Sequence, residues 1–277
     1  MSRQRESGLA LLAVLWLLLL LGVVIALVLH EVRGDRIGVA DEIAGVQRRL
    51  IADAAINRTI LQLINRQDGV RSRLDGFPTE VTVSGVPVRI RVLAEAGKID
   101  LNAANVSMFA ALLRSQGVAS AEADVLADRI VAWRTPWPPD SIDVSDGPYR
   151  DSGRSYGPRH APFRTVDEVR LIAGVSQALF TAIRPLVTVY SPKASVDRQT
   201  ASDAVLGVLE ESGDGLADRQ IQARQAGNPS GIDRPLSVGE AVSIEASIAF
   251  ENGETLRTAV VRLGGDARAP YWILDWR

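Results

Sequence analysis

The chain opens on a change of pattern. Residues 1–8, Met-Ser-Arg-Gln-Arg-Glu-Ser-Gly, are mostly polar, and Leu9–Leu29 then holds 21 positions without a charged or strongly polar residue. Leu and Ala favour helix, and Gly22 alone does not break one. At 1.5 Å per residue the run spans about 31 Å, the depth of a bilayer core. Past it, Val32, Ile37, Val39, Ile43, Val46, Leu50, Ile51, Ala54, Ile56, Ile60, Leu61 and Ile64 recur at helical spacing among Arg, Asp and Glu. No proline precedes Pro78. The pattern predicts one long helix to about Asn65, apolar all round and then amphipathic, ended by Gln67-Asp-Gly69. Arg3 and Arg5 favour a cytoplasmic N-terminus with the bulk carried across the membrane. The run is too long for a signal-peptide core, and Leu27-Val-Leu-His30 offers no small-x-small cleavage site.

Alternation marks the next elements. Val81–Ser84 and Val86–Leu93 read as two strands around a turn at Gly85, and Pro87 puts the second strand's start near an edge or end. Asn102 or Asn105 is a natural N-cap for a helix around Met108–Arg114. Val106, Phe109, Leu112 and Leu113 form one apolar face, and Val125, Leu126, Ile130, Val131 and Trp133 another. Pro136-Trp-Pro-Pro139 stops the second helix, and 134–163 reads as a long loop. Thr165 with Glu168 is a capping-box pair that reopens helix. Leu179–Ile183, a short strand at Leu186–Ser191 and a helix to Leu209 follow. Val242–Phe250 and Thr255–Leu263 form a hairpin through Glu251-Asn-Gly-Glu254, and Tyr271–Arg277 can add a last strand. The expected fold is α+β: a long N-terminal helix on an antiparallel sheet, with an inserted all-helical domain.

Composition narrows the function. The 277 residues are 47% hydrophobic, and 31 Lys and Arg oppose 33 Asp and Glu, for a formal charge of -2. That balance argues against a dedicated nucleic-acid binder. There is no cysteine, hence no disulfide, thiolate metal site or cysteine nucleophile. The helical block has a helix-hairpin-helix flavour at Gln116-Gly-Val118 and Ala173-Gly-Val175, with Arg114 and Arg170 nearby. Glu122, Asp124, Asp167 and Glu168 lie equally near and oppose phosphate, so no nucleic-acid partner is expected. The two histidines, His30 and His160, make no catalytic pattern, and neither a nucleophile elbow nor a phosphate-cradling loop occurs. The chain therefore reads as no enzyme. Asp140, Asp143, Asp146 and Asp151 form the one candidate metal group, a structural calcium site of hard oxygen ligands, with Asp214 and Asp218 a weaker second.

The border of the apolar run sharpens the reading. Gly8, preceded by Arg and Gln and followed by a Leu/Ala/Val run, resembles the processing site of type IV prepilins and type II secretion pseudopilins. The fifth residue after the cut, Glu in most of them, is here Ala13. That absence, the Gly97-Lys-Ile-Asp-Leu-Asn102 stretch, the large helical block with Phe163-Arg-Thr-Val-Asp-Glu-Val169, and the terminal hairpin with its aromatic strand resemble the minor pseudopilin protein K family over nearly the whole chain. The resemblance implies a leader of residues 1–8, cut by prepilin peptidase after Gly8, and N-methylation of Leu9. It implies a transmembrane part over 9–30, an amphipathic helix and first strands over 31–102, an inserted helical domain over 103–185, and the rest of the pilin-like domain over 186–277. It places the protein in the inner membrane, N-terminus cytoplasmic and bulk periplasmic. There it would touch membrane lipid, and it would sit at the pseudopilus tip when assembled. The implied function is to help start pseudopilus assembly and the export of folded proteins across the outer membrane. The implied partners are other minor pseudopilins through the N-terminal helix, with secreted substrates and the outer-membrane channel beyond them. The alternative is a membrane-anchored periplasmic scaffold or binding protein unrelated to pili.

Overall fold

The computed structural model describes residues 3–65, 73–137, 146–213, 221–222, 236–251, 253–266 and 268–277, with the side chains of 3–13 and 26–41 left aside. One helix, α1, runs from Arg3 to Ile64, as the unbroken apolar and then amphipathic pattern predicts. Two compact units divide the chain, Met1–Ile51 and Ala52–Arg277.

The second unit is built on a five-stranded antiparallel sheet in the order β1-β2-β5-β6-β7. The strands are β1 (Thr79–Val83), β2 (Val86–Ala94), β5 (Ala241–Phe250), β6 (Gly253–Asp266) and β7 (Ala269–Trp276). Ser84 and Gly85 join β1 to β2 with φ of 51° and 79°. Two consecutive positive φ values suit a hairpin turn that matches strand twist, and Gly85 adopts one without a Cβ clash. Val88, Ile90 and Val92 of β2, Val242, Ile244, Ala246 and Ile248 of β5, and Ala259, Val261 and Leu263 of β6 alternate inward and are buried. Their rows align across the sheet: Ile90 faces Ala246, and Ala246 faces Arg257. Arg257 Nε then reaches Asp53 Oδ1 of α1 at 2.8 Å, so this is the face that α1 covers. Ala52, Ala55, Ile56, Thr59 and Ile60, at helical spacing, are buried there.

The helical insertion leaves the sheet after β2 and re-enters it at the neighbouring β5. It contains α2 (Val106–Ser115), α3 (Ser120–Arg134), α4 (Gly147–Asp151), α5 (Gln177–Ile183) and α6 (Asp203–Glu211). Its entry is stitched to a later segment, between α5 and α6, by a two-residue parallel ladder, β3 (Ile99–Asp100) against β4 (Val187–Thr188). The core packs Phe109, Leu112 and Leu113 of α2, Leu126, Ile130 and Trp133 of α3, and Val205, Leu206 and Leu209 of α6, with Tyr149, Phe163, Phe180 and Ile183. Asn105 is the N-cap of α2, its side chain accepting from Met108 N at 2.9 Å. The segment opened by Thr165 is a 3-10 turn, Val166–Leu171, where an α-helix was expected. α4 was not expected at all inside the Pro- and Gly-rich loop.

Among the described residues no helix is long and apolar enough to cross a membrane. This overturns the expectation of a single-pass inner-membrane anchor with its cytoplasmic N-terminus and periplasmic bulk.

Candidate assembly surface and the neck of the insertion

In the first unit α1 is apolar on every side, from Val14 at 54% exposed through Trp16 at 65% to Ile25 at 51%. Further along, Ile43, Val46 and Leu50, spaced by three and four residues, stay on one exposed face. Isolated exposed apolar residues are ordinary, but a contiguous run of this kind marks an interaction surface. Gly8, Leu9 and Ala13 fall within α1, and their side chains lie outside the described ones.

The neck of the insertion is a buried polar knot that sequence reasoning missed. The chain turns through a 3-10 turn, Glu95–Gly97, at the end of β2. Glu95 is 2% exposed. Its carboxylate accepts from Lys98 Nζ at 2.7 Å and from the hydroxyls of Thr188 and Ser243. It therefore ties the turn to β4 of the insertion and to β5. Gly97 presses on the backbone of Thr200, where a Cβ would come within 2.5 Å of the carbonyl oxygen. Asp100, also buried, accepts from Asn102 N at 2.7 Å and Ser191 N at 2.9 Å. Burial raises its pKa, and those two N–H groups hold the rise in check. Asn102 clamps the far loop like a backbone strand, donating to Phe163 O at 2.9 Å and accepting from Phe163 N at 2.7 Å. Arg134 donates to the carbonyls of Leu101 and Ala104. Burial pushes Glu168 up. Hydrogen bonds from Arg159, from the Arg164 and Thr165 amides and from Trp133 outweigh that, leaving it below the ordinary carboxylate range.

The other sequence candidates do not converge. Asp140 and Asp143, like Asp214 and Asp218, lie outside the described residues. Asp146 packs against Gly157, Asp151 is exposed, and no group of three potential ligands gathers anywhere among the described residues. The calcium reading thus gains no support from the described half of its ligand set. His160 Nδ1 lies 3.0 Å from Thr135 O and its ring 5.3 Å from that of Trp137, a loop brace. The side chain of His30 is not among those described. The first Gly-Val hairpin holds no amides ready for phosphate. At the first, the N–H groups of Gln116, Gly117 and Val118 bond to Leu113, Arg114 and Leu113 carbonyls, while Arg114 pairs with Asp124 and Glu211, both at 3.3 Å. The second hairpin faces inward, with Gly174 pressed on Leu126 and Ala173 O bonded to Arg129 at 2.8 Å.

A long helix on an antiparallel sheet, with helices inserted between two neighbouring strands, defines a pilin-like architecture with an added helical subdomain. Residues 90–193 match the family model of protein K of the type II secretion system, a segment that begins within β2 and contains the neck and most of the insertion. The fold is similar to a chain of the GspK–GspI–GspJ complex from the type 2 secretion system of enterotoxigenic Escherichia coli. The TM-score is 0.55 at 15% identity, over 86% of this chain and 96% of that one, so the likeness is one of fold. No curated protein matches the chain.

Proposed function

We propose that this chain is a minor pseudopilin of a type II secretion system, assembling with other minor pseudopilins through α1. The observation that carries the reading is the family match over the neck and insertion, set within a fold of the same kind along most of the chain. The uncovered apolar surface of α1 supports it independently, because ordering so much apolar surface in water is unfavourable unless a partner covers it. The related fold comes from a complex of three such proteins, and partners of the GspI and GspJ kinds are the ones carried over here. Mixing the full chain with those two proteins from the same host, and weighing the product by size exclusion with light scattering, should give a stoichiometric complex. Three separate monomers would contradict the reading.

The leader forms part of the same proposal. Prepilin peptidase cuts after Gly8, so the working protein begins at Leu9. Intact-mass spectrometry of protein made with the peptidase should find residues 1–8 gone, and their retention would count against the proposal.

A further inference from the structure

Two very different contacts join the insertion to the sheet. At the neck, Glu95 is buried and bonded to Lys98, Thr188 and Ser243. At the β7 edge the links are open to solvent. Arg277 pairs its main chain with Thr258 in both directions, at 3.1 and 2.9 Å. Its guanidinium reaches Asp275 of β7 at 2.7 Å and Asp167 of the insertion's 3-10 turn at 3.5 Å. Arg184 approaches Asp167 from the other side at 3.7 Å. Beside this cluster, Arg262 of β6 donates to Tyr190 O at 3.2 Å, yet Arg262 Nε and Ser191 Oγ are buried without a hydrogen-bond partner among the described residues.

We infer that the insertion is hinged at the Glu95 turn and latched to the β7 edge through Arg277 and Asp167. The asymmetry carries the inference. A buried carboxylate bonded on all sides resists separation, because parting it from its partners leaves charge unpaired in a dry site. Exposed ion pairs contribute little and are screened by salt. An orphaned guanidinium N–H and a hydroxyl carry a desolvation penalty that ends once water reaches them. Opening at the edge thus loses weak pairs and the one Arg262–Tyr190 hydrogen bond and relieves two unsatisfied groups, whereas opening at the neck strips a buried carboxylate of its donors. The latch stands apart from the assembly reading and holds or fails without it.

The chain has no cysteine, so a pair of spin labels can be placed cleanly. Ala178→Cys on α5 and Glu254→Cys on β6 are exposed positions on either side of the latch. Electron–electron distance measurement on this doubly labelled full chain should show one main distance with a small longer component. Arg277→Ala should enlarge the longer component up to about fivefold, Arg277→Lys should largely restore the original distribution, and 1 M NaCl on the labelled chain with Arg277 intact should mimic the alanine variant. Unchanged distances in both Arg277→Ala and high salt would overturn the latch. So would an equal change on Arg114→Ala, which breaks exposed pairs elsewhere in the insertion.

Discussion

Two stretches of α1 use the same kinds of residue and meet opposite fates. Ala52, Ala55, Ile56, Thr59 and Ile60 are at most 5% exposed, whereas Ile43, Val46 and Leu50 are 53%, 44% and 61% exposed. Hydrophobicity does not decide between them, since the exposed set is the more apolar of the two. What differs is that the first set has this chain's own sheet to cover it. An apolar side chain stabilises a monomer only where something within the monomer removes it from water. Where nothing does, the same side chain is free to contribute to association. Polar groups divide in the same way. Glu95 at the neck is buried with three donors, while Asp53 and Arg257, though only 2.8 Å apart, keep about a quarter of their side chains in solvent.

The contrast can be broken or sharpened by substitution, beginning with the largest effect. Glu95→Ala should cost about 3–5 kcal/mol in chemical denaturation, because it strands Lys98 among buried hydroxyls. Glu95→Gln, which keeps an acceptor, should cost less. Ile56→Ala should cost about 2–5 kcal/mol through lost burial and a cavity. A loss as small as that expected at an exposed site would mean that α1 does not rest on the sheet. Arg257→Ala should cost about 0.2–1 kcal/mol, as a partly exposed pair does, and 1 M salt should shrink the difference. Leu50→Ala should leave monomer stability within about 0.5 kcal/mol of the parent.

Acid sharpens the same division. Glu168 has a lowered folded pKa, so its contribution is fully present above its unfolded value and is lost as the pH falls through the folded one. Asp100 and Asp275 are raised by burial, and their contributions run the other way: fully present below the unfolded value, lost as the pH rises through the folded one. The stability gap between parent and Glu168→Gln, read from urea midpoints, should therefore be constant near neutrality and close as the pH drops below about 4.5. A gap that stays constant into acid would show that Glu168 is not held as a carboxylate.

The local signals were legible wherever the physics is local. The length of α1, the Asn105 cap, the Gly85 turn and the hairpin closing on Gly253 all follow from short-range pattern. The face of α1 was harder to read. Helical spacing picks out Ala54 and Leu61, yet both are exposed, and the sheet covers Ala52, Ala55 and Thr59 instead. A helix with apolar residues on two sides has no single phase, and alanine and threonine hardly register in hydropathy. The Gly97–Asn102 stretch was visible only as a motif and its bonds were not, because the two hydroxyls on Glu95 come from residues 93 and 148 positions away. The 3-10 geometry after Thr165 was not legible, because its capping pair reads the same at the start of either helix type.

The most direct test of the assembly role compares two exposed leucines, Leu50 on α1 and Leu256 on the open side of the sheet, 61% and 59% exposed. The dissociation constant of the full chain from its GspI- and GspJ-type partners should rise at least about tenfold on Leu50→Asp, equivalent to about 1.4 kcal/mol. It should stay within about twofold on Leu256→Asp, and both variants should melt like the parent. Equal affinities for the parent and Leu50→Asp would contradict assembly through this face of α1.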